Sequence, residues 1–278
     1  MGRTVLSLEL PEGLLCTNAA FLDGDTFVYV TMELQVEGLD PYRVELYRDG
    51  ETHTIASGMG DRFGFDDPKV VSLGGGAFAY TYHDYETETL GVNVVSARGD
   101  ITPQITLEED RSYYWELYGN GSQYLYQVAP FASDDADIFF VGDVSGVTHQ
   151  FSLPEGKHGI QGSCCFLKNR LLFAAVSNPS AGANNLKWEI LVTDLDGNLL
   201  MSYPCWAFRG LRSNGDDLVL GDYMGNKPYV AHVTDREITL HELDGPSSAA
   251  LFYWTSEREV LLHYNWVSTL RLMRLTIP

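Results

Sequence analysis

The chain has 278 residues and is strongly acidic, because 38 Asp and Glu residues outnumber 18 Lys and Arg residues and give a formal net charge of −20. This charge argues against nucleic acids and anionic membranes as partners, since both attract basic residues. A hydrophobic content of 45% together with 27 glycines is typical of a globular protein that is rich in turns.

A short turn between two β-rich segments recurs along the chain, beginning with AAFLDGDTFVYV at residues 19–30. The apolar runs on either side of the turn predict two antiparallel strands joined as a hairpin. The pattern returns at intervals of 42 to 52 residues, a spacing typical of propeller blades. The turns are centred on Asp23, Gly75, Asn120, Lys168, Asn214 and Ser256.

A second hairpin follows most of these turns, as in WEILVTDLDGNLLMSYP at residues 188–204. Two hairpins per repeat predict a four-stranded antiparallel sheet, and six repeats predict six sheets. No window of the chain has a convincing helical period, so an all-β fold is expected. The predicted blades cover residues 14–56, 66–107, 112–153, 160–203, 206–243 and 247–278, the last completed by residues 3–10.

The sixth repeat is one strand short, and TVLSLEL at residues 4–10 is predicted to supply the missing strand. Closing a ring of this length disfavours folding by about 5 kcal/mol of chain entropy. Burying the four apolar side chains of this strand returns roughly 1.5–3 kcal/mol each before the ordering of the strand is counted. They are Val5, Leu6, Leu8 and Leu10. We therefore predict one domain over residues 1–278, closed by pairing of its two ends.

The strand TFVYVTMEL is apolar on both faces, since Phe27 and Tyr29 point one way while Val28 and Val30 point the other. Such strands belong to sheets that are packed between two neighbours. With its six repeats, the chain resembles six-bladed β-propellers of the TolB-like and NHL-like kind. The resemblance covers the whole chain at the level of architecture, without the Gly-His and Trp-Asp pairs of WD40 repeats or the Asp box of sialidases.

The four cysteines, Cys16, Cys164, Cys165 and Cys205, include no C-x-x-C pair and are predicted to be buried free thiols of a reducing compartment. The N-terminal residues lack the continuous apolar core of a signal peptide, and no apolar run is long enough to span a membrane. A cytoplasmic protein is therefore expected.

The long connections of such a propeller, between strands two and three and between blades, lie on one rim, where binding groups are commonly placed. Arginines in separate connections can bind a carboxylate or phosphate, and aromatic rings can pack on a sugar or peptide. Alternatively, the arginines neutralise nearby carboxylates and the aromatic rings fill the central channel. The candidate ligand-binding residues are Arg62, Arg111, Trp115, His158, Trp206, Arg209, Tyr223 and Trp266.

Candidate catalytic groups are imidazole and carboxylate side chains expected near the same rim, because these exchange protons in hydrolases and lyases. They are His83, Asp84, Glu116 and Asp222. The acidic cluster Asp134, Asp135 and Asp137 is a candidate Ca²⁺ site or, alternatively, a solvated loop. No other cofactor is expected.

Three functions are compatible with these patterns. The first is a recognition module whose long-loop rim binds a peptide, a protein partner or a polar small ligand. The second is a propeller-type hydrolase or lyase that acts on a saccharide or polar metabolite with carboxylates at the channel mouth. The third is a structural subunit of a larger assembly.

Overall fold

The structure of the chain is a computed structural model. It describes residues 10–33, 38–60, 68–108, 113–130, 136–177, 187–205, 208–223, 227–243, 249–256, 259–264 and 269–274. After residue 248, only the backbone pairing of the strands is described.

The described residues form 23 strands and no helix. Sheet 1 contains β1 (Leu14–Asp23), β2 (Thr26–Glu33), β3 (Asp40–Arg48) and β4 (Glu51–Gly60). Sheet 2 contains β5 (Val70–Gly74), β6 (Ala77–Asp84), β7 (Thr89–Val95) and β8 (Ile101–Glu108). Sheet 3 contains β9 (Tyr113–Gly119), β10 (Tyr124–Pro130), β11 (Ile138–Asp143) and β12 (Gly146–Phe151).

The remaining strands form three further sheets. Sheet 4 contains β13 (Lys157–Leu167), β14 (Arg170–Ser177), β15 (Lys187–Asp194) and β16 (Leu199–Pro204). Sheet 5 contains β17 (Phe208–Ser213), β18 (Leu218–Tyr223), β19 (Lys227–Val233) and β20 (Ile238–Glu242). Sheet 6 contains β21 (Ala249–Ser256), β22 (Glu259–Tyr264) and β23 (Thr269–Arg274).

In every sheet the strands pair in chain order, giving five four-stranded sheets and one three-stranded sheet. The strand pairings described in register are antiparallel, for example β14 with β15 from Arg170↔Asp194 to Ser177↔Lys187. Each predicted turn centre falls at the junction of the first and second strands of a sheet. The prediction of an all-β fold built from antiparallel four-stranded sheets is therefore confirmed.

Two compact units make up the chain. Unit 1 contains residues 1–131 and 140–148, and unit 2 contains residues 132–139 and 149–278. A core cluster of unit 1 joins sheets 1 and 2 through residues such as Val30, Val44 and Phe78, all of them completely buried. Strand β2 was predicted to be packed on both faces: Val28 and Val30 are buried on one face, and on the other Tyr29 is buried and Phe27 half-buried.

Unit 2 has a corresponding core between sheets 4 and 5, which includes Leu172, Ile190 and Val219. Phe208 is also buried there, and its ring lies across Gly221 of the neighbouring strand so closely that a Cβ at this glycine would approach the ring to 2.3 Å. A strand glycine thus makes room for an aromatic ring of the same sheet.

All four cysteines are free thiols. Cys164, Cys165 and Cys205 are buried as predicted, but the prediction is wrong for Cys16, which is exposed on β1. Burial raises the pKa of Cys165 to about 12 and that of Cys205 to about 11. These two buried thiols are therefore protonated at neutral pH.

The predicted closing strand, residues 3–10, lies outside the described residues except for Leu10. Closure of the ring therefore stays a prediction. Among the described residues there is no helix that is long and apolar enough to cross a membrane.

Candidate functional site

Each sheet has two different ends, because its strands alternate in direction. We call the end that carries the link between the second and third strands the long-loop end, and the opposite end the short-turn end. In sheet 4 the long-loop end contains Lys157, Ser177 and Lys187, whereas the short-turn end contains Lys168 and Asp194. The described candidates from the sequence lie at long-loop ends, although most of the long links themselves are outside the described residues.

The long-loop ends of sheets 2 and 3 contribute an aromatic group in unit 1. The His83 ring lies 3.9 Å from the Tyr85 ring, centroid to centroid, and meets Trp115 edge-on at 5.4 Å. His83 and Trp115 are both buried, and Trp115 is only 1% exposed. The Trp115 ring is therefore part of the packing in this structure and does not offer an open face to a ligand.

Asp84 follows His83 and points away from it, as neighbouring strand residues do. Its Oδ1 accepts hydrogen bonds from the backbone N–H of Glu86 at 2.9 Å and of Thr87 at 3.3 Å. The Thr87 hydroxyl and these backbone groups hold the pKa of Asp84 below its usual value. Asp84 therefore stabilises its own turn as a carboxylate, which suits it poorly to act as a general acid.

Glu116 lies on β9 of sheet 3, opposite the buried Gln127 of β10. Tyr118, on the same face of β9, donates a hydrogen bond to Oε1 of Gln127 at 3.2 Å. The described residues therefore place Glu116 beside a buried amide and next to Trp115 in the sequence.

A charged cluster occupies the long-loop end of sheet 4 in unit 2. We call it the Lys157 cluster, and it consists of Lys157, Ser177 and Glu189. Nζ of Lys157 donates a hydrogen bond to Oγ of Ser177 at 3.0 Å and forms an ion pair with Oε1 of Glu189. Ser177 donates to the same Glu189 oxygen at 3.3 Å.

Strand register brings these three residues together. Lys157 is paired with Ser177, and Glu189 is paired with Ala175, two positions along the same face. The side chains are 27% exposed at Lys157 and 14% exposed at Glu189. The cluster is therefore partly shielded from water, which makes its charges less screened than those of a surface pair.

His158 lies on the opposite face of β13 and approaches Asp137, the residue before β11. Nδ1 of His158 is 3.6 Å from Oδ1 of Asp137. The other carboxylate oxygen, Oδ2, accepts the backbone N–H of Gly159 at 2.7 Å. We call these two side chains the His158 pair; its carboxylate is only 2% exposed and its imidazole 12%.

The structure thus brings together two residues that the sequence assigned to different roles, His158 to ligand binding and Asp137 to a calcium cluster. Among the described residues no group of three or more His, Cys, Asp or Glu side chains could hold a metal ion. Asp134 and Asp135 lie outside the described residues. Asp137 accepts a hydrogen bond from the protein backbone and contacts an imidazole.

In sheet 5, Arg209 of β17 pairs with Asp222 of β18, and Phe208 pairs with Tyr223. This places Arg209, Asp222 and Tyr223 at one long-loop end, where the sequence expected them. The other four candidates, Arg62, Arg111, Trp206 and Trp266, lie outside the described residues.

Two groups in the site were missed by the sequence reasoning. Lys157, Ser177 and Glu189 are separated by 20 and 12 residues along the chain, so only the strand register brings them together. The contact of Asp137 with Gly159 likewise crosses from one sheet to the next. The sequence signal that could have identified these residues is their position along the chain, since all of them lie beside long links.

No family model matches the chain, and no curated protein matches it. Solved structures do match. The β-propeller domain of the Trilobed protease from Pyrococcus furiosus, described as having an open velcro topology, has a TM-score of 0.60 and 12% identity over 95% of this chain and 81% of that chain.

The β-propeller domain of Cps50 (Swd1) from Myceliophteria thermophila has a TM-score of 0.57 and 12% identity over 93% of this chain and 83% of that one. YCF48 bound to D1 peptide has a TM-score of 0.55 and 11% identity over 97% of this chain and 96% of that one. At such identities the likeness concerns the fold, and the chain has the fold of a β-propeller.

Proposed function

We propose that this protein is a recognition module that binds a peptide, a segment of a protein partner or a polar small ligand at the long-loop end of sheet 4. The observation that carries the proposal is the Lys157 cluster. It presents an ammonium group, a hydroxyl and a carboxylate in a fixed arrangement, at the end of the sheet where the long links begin.

Such a cluster suits a ligand with its own donors and acceptors. A few placed polar groups give a binding site its orientation, and partial burial strengthens each hydrogen bond to the ligand. The peptide backbone offers both N–H and C=O groups, which match the carboxylate and the ammonium. Similarity to a chain that was solved with a bound peptide makes peptides a sensible first class of ligand to test.

The net charge of −20 favours basic ligands within this class. Electrostatic complementarity speeds the association of an acidic protein with basic partners and disfavours its binding to acidic partners. Nucleic acids and anionic membranes are therefore not among the proposed partners. The proposal is independent of Ca²⁺ and of any other cofactor.

The proposed scaffold is a six-bladed ring of the TolB-like or NHL-like kind, closed by residues 3–10, in a cytoplasmic protein. Ring closure matters for binding, because it would hold the long-loop ends of all sheets on one rigid rim. It is supported by sheet 6, for which the described residues supply three strands, whereas each of the other five sheets has four.

The alternative, a saccharide hydrolase or lyase with carboxylates at the channel mouth, receives less support from the described residues. It needs an acid with a raised pKa beside a carboxylate. Asp84, one of its candidates, has a lowered pKa because its own turn binds the carboxylate. Recognition is therefore preferred.

The test is selection of binders from a random peptide library displayed on ribosomes, with the full chain as bait. Selected peptides are then measured by fluorescence anisotropy against Lys157→Gln and Glu189→Gln. We expect each variant to weaken Kd by about tenfold or more, as loss of a central interface contact does. Basic residues should be enriched among the selected peptides.

Lys168→Gln is the matched control. Lys168 follows the other end of β13 and forms an ion pair with Asp216, but its side chain is 63% exposed at the short-turn end. This variant removes the same charge and should leave Kd unchanged. Selected peptides that bind Lys157→Gln as tightly as the wild type, or that lose binding in Lys168→Gln instead, would contradict the proposal.

A further inference from the structure

Among the described residues of unit 2, three histidines contact a carboxylate, and they differ in the burial of that carboxylate. Nδ1 of His149 is 2.7 Å from Asp196, and Nε2 of His232 is 3.2 Å from Asp217. The Asp196 and Asp217 side chains are 67% and 30% exposed, so both contacts are more open to water than the His158 pair.

The His158 pair is different, since the Asp137 side chain is almost completely buried. In hydrolytic enzymes, a carboxylate that accepts a hydrogen bond from an imidazole fixes which ring nitrogen carries the proton. The Gly159 N–H holds Oδ2 of Asp137 in place. The carboxylate is therefore positioned before any ligand arrives.

The orientation of the ring follows from this contact. Nδ1 of His158 is the ring nitrogen that faces Asp137, which leaves Nε2 on the side of the ring away from this carboxylate. Asp137 is the polar partner that the described part of the chain gives to this ring. A separation of 3.6 Å is longer than a hydrogen bond, as is common for catalytic pairs before substrate binds.

The strand beyond His158 is irregular. β13 and β14 lose register between Gly159 and Cys164, so five steps along β13 correspond to two along β14. A bulge of this kind re-aims the side chains beside it and occurs preferentially near active sites. His158 therefore lies at the boundary between regular and bulged strand, next to the backbone N–H that binds Asp137.

We propose that His158 is a general base for hydrolysis of a carboxylic ester or lactone. Nε2 takes a proton from a water molecule while the water oxygen bonds to the carbonyl carbon and the carbonyl electron pair moves to oxygen. When this electron pair returns, the bond from carbon to the leaving oxygen breaks. The imidazolium gives its proton to that oxygen, so an ester is split into an acid and an alcohol, a lactone opens to one hydroxy acid, and the base is restored.

The proposed proton transfer suits esters and lactones better than amides. The Lys157 ammonium lies on the other face of β13 and is paired with Glu189, so the described titratable group that faces His158 is Asp137. With the imidazolium as the acid for the leaving group, a leaving alkoxide or phenoxide is expelled far more easily than an amide nitrogen.

The experiment follows hydrolysis of p-nitrophenyl acetate by absorbance and of δ-valerolactone by pH-stat titration, using the full chain. The wild type should show saturable hydrolysis whose kcat/KM falls on the acid side, because a protonated imidazole cannot accept a proton. His158→Gln should lower kcat/KM by about 100-fold or more and remove this acid-side fall. Asp137→Asn should lower it by at least about tenfold.

His149→Gln is the matched control, because it removes a histidine of β12 that also contacts an aspartate, Asp196 in the short turn between β15 and β16. It should retain both the rate and the pH profile. If His158→Gln does not fold, diethyl pyrocarbonate treatment of the wild type replaces it, with the modified histidine located by mass spectrometry. Inactivation should follow modification of His158.

No saturable hydrolysis of either substrate would overturn the proposal, as would wild-type rates in His158→Gln. Peptide binding lost in Lys157→Gln is a separate readout on the other face of the strand. Failure of hydrolysis with intact peptide binding would therefore reject the general base and leave the recognition function standing.

Discussion

Replacement of Tyr126 by Phe should stabilise the protein, although most core substitutions destabilise. Tyr126 is completely buried on β10 of unit 1, and the described residues give its hydroxyl no hydrogen-bond partner. Burial, and then the neighbouring Tyr82, raise the pKa of Tyr126 well above its usual value. The hydroxyl is therefore neutral and has lost its bonds to water without replacement.

The magnitude follows from the removed atom. A buried polar group without a partner destabilises the fold by about 1–3 kcal/mol. In the Phe variant this destabilisation is removed, but the small void left by the oxygen cancels part of the gain. The ring of Phe keeps its packing against Phe140, whose centroid is 6.3 Å away. We expect the free energy of unfolding to rise by about 1 kcal/mol and Tm by about 2–4 °C.

The assay is thermal and urea unfolding monitored by circular dichroism, with Tyr118→Phe as the control. Tyr118 loses the same atom, but its hydroxyl donates a hydrogen bond to Gln127. That variant should be destabilised by about 0.5–1.5 kcal/mol. The same substitution should therefore raise the free energy of unfolding at Tyr126 and lower it at Tyr118. Equal destabilisation of both variants would refute the reasoning.

Three further outcomes are expected. Gly221→Ala should destabilise by about 1–3 kcal/mol in urea unfolding, because its Cβ would overlap the Phe208 ring; an unchanged midpoint would show that the ring moves aside. Deletion of residues 1–10 should lower the midpoint of the whole thermal transition, and unchanged cooperative melting would rule out the shared last sheet. The carboxylate of Asp194 binds the side chain of Asn198, which lowers its folded pKa, so the free energy of unfolding should fall as the pH drops from 3.8 through that folded pKa. Asp194→Asn should flatten this pH dependence in urea titrations. An identical pH dependence in the variant would show that the Asp194 carboxylate is not its source.

The sheets were predictable because their signals are local. Lys168, for example, marks a turn by sequence and has a positive φ of 52° there, between two apolar runs that alternate over a few residues. Strand order follows from short turns, since a turn of two residues leaves an antiparallel neighbour as the available partner. Propeller architecture then follows from repetition.

The site was not predictable to the same extent, because it depends on register and on contacts between sheets. Trp115 was expected among ligand-binding residues, yet its neighbours on β9 are half-buried while Trp115 itself is covered. A shift of one residue along a strand reverses the face, which composition cannot decide. Asp137 was recognised as acidic but not as the partner of His158, since that contact joins two different sheets.

Hydrogen exchange of the wild type, measured by mass spectrometry with and without a selected peptide, tests most directly where a ligand binds. Added protection at residues 157–160, 175–177 and 187–190 is the predicted result, because these segments form the long-loop end of sheet 4. Protection confined to residues 168–170 and 194–199, at the short-turn end of the same sheet, would contradict it.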